Sequence, residues 1–594
     1  MSRAKRLAVV ALSAFVLLNG VGAGSRARAA DKKERERAER ALREGEFEEA
    51  EKLYRGLVEK DVKDITARLG LSYAQLKQRN LRDAYDNAAR AIALNPLNAR
   101  AHALLGAVLL AAGDFPVSVE EFKTALSFNQ NDALAVAGVS MINFYENRPA
   151  VALIGLRRAV DLDPNEPDFL FNYAQAAARS ERYREAADAY ETFLRIAPRT
   201  DADRRARIRG LIDFLRFIST QGSLYSQGGA SHTTLQFELV NSRPIINVRL
   251  NGSRKTARFV IDTGSGMCVI SSATAERLGV KSVARGGMAR AIGGGGRFEI
   301  VYGFLDSLQM GETKLDNVPV YIREFQNQQE PVDGYIGLSV LSSYLASIDY
   351  GARTFTLLRN DARPAADQSA MQDSTSNANT NTTANANTTA TANTTTTANA
   401  NTTSSSPSAP AATNGATNVA NGNAVNNAAG TTATTSDAAR VFELPIRATS
   451  SGFWSGSLRV EGIDKPVNFI IDTGATVSVV SQQLAERETL ARYTQKMKLR
   501  VFGAAGVSED VPLLMLPRIT LGSYTHPNLA AAVLDMNPIN ETSGFEQTGI
   551  LGGNVLRFFR VTFDFQRAVV RFEMIPGFTP APISRDANIT PQSY

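Results

Sequence analysis

Two aspartates carry most of the chemistry available to this sequence. Asp262 lies in the stretch FVIDTGS at 259–265, and Asp472 lies in FIIDTGA at 469–475, 210 positions later. A lone Asp-Thr-Gly is compatible with an ordinary turn. Two such acids can do more. Carboxyls held about 3 Å apart cannot both ionise and retain one proton between them, so one can take a proton from water while the other gives one to a carbonyl oxygen. That division of labour requires neither a metal nor a covalent intermediate.

Other chemistry has little material. The only cysteine, Cys268, sits in an apolar run, where a buried small hydrophobe is expected rather than a nucleophile. The three histidines, His102, His232 and His526, have no Cys or Glu cluster beside them, so neither a zinc site nor a Ser-His-Asp arrangement is indicated. No metal and no organic cofactor is expected. The net charge of +6 is misleading, because Arg3, Lys5, Arg6, Arg26 and Arg28 supply five cations before residue 31. Without them 60 basic residues face 59 acidic ones, and no nucleic-acid partner is indicated.

Those first residues have their own pattern. A basic start (MSRAKR), an apolar run (LAVVALSAFVLL) and small residues ending in ARAA have the three parts of a secretory signal peptide over 1–30, which predicts an exported protein, periplasmic or secreted. Cleavage is expected near Ala29 or Ala30; an uncleaved anchor is the alternative. No later segment has the roughly 18 apolar residues of a membrane span.

The elements that must position the acids come in two kinds. Up to about residue 200 the chain repeats every 34 residues: Ala50, Ala84, Ser118, Ala152 and Ala186 are in register, as are Phe47, Leu81, Phe115, Pro149 and Tyr183, with Pro96, Pro164 and Pro198 at a third site. Small residues at fixed sites let paired helices approach closely, and the larger neighbours fill the space between successive hairpins. This resembles the tetratricopeptide repeat. The resemblance implies an α-helical solenoid over 31–220, ending in a closing helix around RARIRGLIDFLRFIS, with a groove for a protein partner; a plain spacer is the alternative.

From about Gln236 the pattern changes to short alternating runs broken by Asn-Gly and Gly, which read as strands and hairpins. One such region spans 234–360 and another 439–579. Between them, 361–438 is rich in Asn, Thr and Ala and reads as a disordered linker, and 580–594 as a tail. The two β-regions match beyond the acid turns: YIGLSVLSSYLASIDY in the first answers ILGGNVLRFFRVTFDF in the second, and Gly337 precedes Asp349 by twelve, as Gly552 precedes Asp564. Both copies resemble the retropepsin-like aspartic proteases. Each has an apolar-apolar-Asp-Thr-Gly-(Ala/Ser) turn, a glycine-bearing flap (AIGGGG, VFGAAG) and an apolar-apolar-Gly element (YIG, ILG).

The resemblance implies a multidomain α plus β chain, a helical solenoid followed by two all-β protease-like domains. It makes Asp262 and Asp472 the catalytic pair. Thr263 and Thr473 would cross-bond beneath them, Gly264 and Gly474 would allow the tight turn, and Gly337 and Gly552 would lie where the returning chain crosses the acid loops. The flaps would be Ile292, Gly293, Gly294, Gly295 and Gly296, and Phe502, Gly503 and Gly506, closing over an extended peptide. A phosphate cradle at the four glycines is disfavoured, since no Gly-Lys-Ser/Thr follows.

A linker of roughly 75 flexible residues has a root-mean-square span of about 45–50 Å, so the copies could pair within one chain or between two. Divergence between them, Ser265 against Ala475, favours a mixed dyad. The expected function is an aspartic endopeptidase whose repeats gather a substrate or partner. The alternatives are an inactive binding scaffold built from the same folds, and a protease acting only on its own linker.

Overall fold

The computed structural model describes residues 31–290, 292, 296–325, 331–363, 441–503 and 506–577. The segments assigned by sequence to 1–30 and 580–594 lie outside the described residues, as does the linker from residue 364 to 438.

The 34-residue period is written into the backbone. Helices α1 (31–44), α2 (Phe47–Lys60), α3 (Ile65–Lys77), α4 (Leu81–Leu94), α5 (Ala99–Ala112), α6 (Phe115–Phe128), α7 (Ala133–Tyr145), α8 (Pro149–Leu162), α9 (Pro167–Arg179), α10 (Tyr183–Ile196) and α11 (Ala202–Ile218) form antiparallel pairs. Asp64, Asn98 and Asp132, spaced 34 apart, cap α3, α5 and α7, each side chain accepting from the third backbone N–H of its helix. The turn inside each hairpin needs one left-handed residue, filled by Gly45, Arg79, Gly113, Asn147 and Glu181 at the same spacing. The in-register small residues Ala50, Ala84, Ser118, Ala152 and Ala186 are fully buried.

The array curves until its ends meet. Tyr73 on α3 donates to Glu166 at the start of α9 (2.7 Å), and Lys77 bridges Glu166 (3.5 Å) and Asp168. A Cβ on Gly45 would fall 2.6 Å from Pro198.

Each β-region places its acid turn at the end of a central strand. Ala257–Ile261 pairs antiparallel with Arg243–Leu250 and parallel with Gly334–Ile336; Val467–Ile471 pairs antiparallel with Trp454–Val460 and parallel with Gly549–Leu551. The halves are joined by a platform of six antiparallel strands in the order His232–Gln236, Thr354–Arg359, Tyr344–Asp349, Phe559–Asp564, Val569–Met574, Val441–Ala448. At its middle Leu345 lies opposite Asp564 and Asp349 opposite Arg560, and the Arg560 guanidinium donates to Asp349 at 2.8 Å. Continuous pairing plus the shared apolar core beneath it fixes the two halves as one body.

The helical array docks on both halves. Helix α11, expected only to close the solenoid, packs on the strand Ala284–Arg290 at the root of the first flap; Phe214 stacks on Tyr302 at 4.3 Å and Arg207 donates to the Met288 carbonyl at 3.1 Å. On the second half, Phe545 inserts between Phe115 (4.9 Å) and Tyr145 (5.2 Å), and the Glu546 N–H donates to the Ala111 carbonyl at 2.8 Å. Gly210 makes the α11 contact possible, since a Cβ there would lie 2.5 Å from the Arg285 carbonyl carbon. Gly210→Ala should therefore destabilise the protein in denaturant unfolding, although alanine raises helix propensity by about 1 kcal/mol. An unchanged or higher midpoint would mean that α11 does not dock there.

Candidate active site

Both acids are carried to one point by their strands. The Asp262 N–H donates to the Ile336 carbonyl and the Asp472 N–H to the Leu551 carbonyl, each at 3.0 Å, so the two turns begin in equivalent geometry. Beneath them the threonines cross. The Thr263 N–H donates to Thr473 Oγ1 and the Thr473 N–H to Thr263 Oγ1, both at 3.1 Å. Each hydroxyl then donates to the carbonyl before the opposite acid, Thr263 to Ile471 (2.7 Å) and Thr473 to Ile261 (2.6 Å). Both threonines are buried, so these bonds form out of competition with water and set the separation of the turns.

Above this lattice the two carboxyls face each other, each lying against the other's glycine turn. The glycines are what permit it. A Cβ on Gly474 would lie 2.5 Å from Asp262 Oδ1, and one on Gly264 would run into the Asp472 carboxylate.

The pair is not symmetric. Asp472 Oδ1 accepts from the N–H of Gly474 (2.8 Å) and of Ala475 (3.2 Å), whereas Asp262 Oδ1 accepts from Gly264 (2.9 Å). Burial raises both acids above the ordinary carboxylate range, and Asp262, which also faces Asp472 with fewer donors of its own, is raised well above it. The pair holds one proton between them, and Asp472, with more N–H donors, is the better placed of the two to carry the charge.

Two further glycines lie against the acid loops. A Cβ on Gly337 would meet the Met267 carbonyl at 2.5 Å, and one on Gly552 the Ala475 oxygen at 3.0 Å, so these are the points where the returning chain crosses the acid loops. The Gly337 N–H donates to Cys268 Sγ (3.3 Å) and the Gly552 N–H to Ser478 Oγ (3.0 Å). Cys268 is buried, and burial pushes its thiol up to about 12, which removes it as a nucleophile. Ser478 was not singled out from the sequence, although it stands six residues after its acid, as Cys268 does. Its partner Asn554, accepting from both Ser478 N–H and Oγ, left no local sign.

The first flap is the hairpin Ala284–Arg290 and Arg297–Met310; the second is Thr494–Gly503 and Gly506–Leu521. Gly293, Gly294 and Gly295 lie outside the described residues, while Ile292 and Gly296 are described. Ile292 reaches across to the apolar cluster of the second half that includes Ile470 and Val479. Arg290 next to the flap tip is tied to Glu541 of the second half at 3.1 Å, a clasp that sequence spacing could not show because 251 residues separate the partners. In the second flap Gly503 pairs with Gly506, and Phe502 is half-exposed at its edge. Trp454 is buried against Phe565 (5.4 Å) and also borders the cavity. Among the described residues no group of three His, Cys, Asp or Glu side chains could hold a metal ion, and no helix is long and apolar enough to cross a membrane.

Both acids open onto one cavity of about 2840 Å³, bordered by Ile292, Phe298 and Phe502 of the flaps and also by the concave side of the helical array.

Comparison with known proteins assigns the parts. Residues 246–340 and 457–555 match the Aspartyl protease family, and residues 35–84, 69–133 and 144–199 match the Tetratricopeptide repeat family. Among solved structures, a thermophilic tetratricopeptide-repeat protein of Thermus thermophilus is similar at 19% identity, covering 31% of this chain and 98% of that one, with a TM-score of 0.27. PilF of Pseudomonas aeruginosa is similar at 17% identity, covering 32% of this chain and 85% of that one, with a TM-score of 0.25. Among curated proteins none matches.

Proposed function

We propose that this chain, which carries aspartyl protease domains at two regions and tetratricopeptide repeats ahead of them, is an endopeptidase that works with Asp262 and Asp472. The observation that carries the reading is the approach of each carboxyl to the other's glycine turn above the crossed threonines. Charged Asp472 removes a proton from a water molecule, whose oxygen bonds to the peptide carbonyl carbon. Asp262 gives its proton to the carbonyl oxygen. The resulting tetrahedral diol returns a hydroxyl proton to Asp262 as it re-forms the carbonyl. The nitrogen takes the proton held by Asp472 as the C–N bond breaks, and the pair is left with its single proton.

The half-buried position of the acids and the flaps above them support exclusion of water from this step. The basic, apolar and small-residue segments within residues 1–30 support export to a periplasm or the cell exterior. The repeats would gather the protein or peptide that is cut.

The working state has one proton on two carboxyls, so activity should rise with pH as the doubly protonated pair loses its first proton and fall as the second leaves. Burial raises both losses, and repulsion between the carboxyls raises the second further. The basic limb should therefore lie above the ordinary carboxylate range, toward neutrality. Casein cleavage, followed from acidic to neutral pH with and without a transition-state peptide inhibitor, tests the reading. A lack of inhibitor-sensitive cleavage at every pH would leave a binding scaffold instead.

A further inference from the structure

The cavity at the acids does not stop at the protease halves. It continues along the concave side of the array, where Tyr73 and Lys77 of α3, Met141 and Phe144 of α7, and Phe171 and Arg179 of α9 border the same space as Asp262 and Asp472. At about 2840 Å³ it exceeds the roughly 300–1,000 Å³ of a small-molecule pocket. Its far side is tied shut by the Tyr73–Glu166 and Lys77–Glu166 contacts.

Among the described residues of this wall, Arg79 and Arg204 have acids near them without an ion pair, and Arg179 has neither. Two of the acids there, Glu166 and Asp168, are held by Lys77. Arg179 has only the face of Phe144 beneath its guanidinium, 5.1 Å from the ring centre, and among the described residues no carboxylate pairs with it. Surrounded by protein on the cavity side, it is lowered to about 10 by burial alone, with no acid contributing in the opposite sense. A desolvated guanidinium over an aromatic ring gains most from a charged acceptor arriving with the ligand.

We propose that the concave face of the repeats and the acid-pair cleft form a single chamber occupied by one substrate chain, with Arg179 binding an Asp or Glu side chain in the segment that flanks the scissile bond. The occupant follows from continuity: a chain lying at the acids has the array's concavity as the extension of its own cleft. The inference rests on the proteolytic reading for what lies at the acids. Its charge preference is separate from it.

The test uses the full chain with Asp262→Asn and Asp472→Asn, which blocks hydrolysis, and fluorescein-labelled peptides read by anisotropy. Each peptide has an eight-residue Leu/Phe core and blocked ends. A ten-residue Gly/Ser tail, with extended reach of about 33 Å, carries three Glu or three Gln and is placed before or after the core in separate peptides. In one arrangement the Glu tail should bind about tenfold more tightly than the Gln tail. Arg179→Gln should abolish the difference and leave the affinity of the bare core unchanged, while Arg179→Lys should keep part of it. Equal affinity of the two tails, or a preference that survives Arg179→Gln, overturns the proposal. So does a preference found only when the C-terminus is left unblocked, which would make a chain end the ligand. Failure of the bare core to bind counts against the proteolytic reading and not against the charge preference.

Discussion

Asp262→Asn and Asp472→Asn, each alone, should reduce peptide cleavage by about 10,000-fold, the upper range for loss of a positioned acid or base. Neither should retain half of the activity, because the structure offers one dyad per chain and each acid is the other's partner. Mixing the two variants should restore nothing. The crossed threonine bonds span residues 210 apart in the same chain, and the pairing of Tyr344–Asp349 with Phe559–Asp564 seals the halves together below them. For two damaged chains to rebuild an intact pair, both of these interfaces would have to open. Steady-state cleavage of casein by each variant and by their equimolar mixture decides the point. Recovery in the mixture would show that the acids come from different molecules, and half-activity in a single variant would show that like pairs with like.

A methyl group in the wrong place should also be damaging. Gly474→Ala would set a Cβ 2.5 Å from Asp262 Oδ1, and Gly264→Ala would press one still closer against the Asp472 carboxylate. Asp472 cannot simply turn aside, since the Gly474 and Ala475 N–H groups hold it. The acids must separate, and displacement of about 1 Å costs on the order of 100-fold in rate. Gly264→Ala should be the worse of the two. The same movement weakens the repulsion between the carboxyls, so the basic limb of the pH profile should shift to lower pH along with the fall in kcat/KM. Full activity with an unmoved limb in either variant would mean that the turns do not meet as closely as described.

Much of this was legible from residue types. The 34-residue register of Ala50, Ala84, Ser118, Ala152 and Ala186 reports a packing requirement that recurs in every hairpin, and each of these positions is buried. Gly264, Gly337, Gly474 and Gly552 are legible for a related reason: a backbone or a second acid passes where a Cβ would sit, and only one residue type leaves that space. Cys268 could be read as inert from its apolar neighbours. The docking contacts had no such sign. Phe545 between Phe115 and Tyr145 is one aromatic in a loop, and Phe115 sits in the repeat register where the hairpins themselves account for it. Arg290 and Glu541 are two exposed charges among many until the flap brings them together.

The sequence alone thus determined the periodic array, the two acid turns and the glycines around them, because local backbone and packing demands restrict the residue at each position. Only the tertiary structure decided that the acids meet within one chain, that α11 braces the first flap, and that the array's concavity runs into the cleft. Those outcomes depend on surfaces far apart along the chain, where complementarity of shape and charge can be met by many side chains and leaves no period to read.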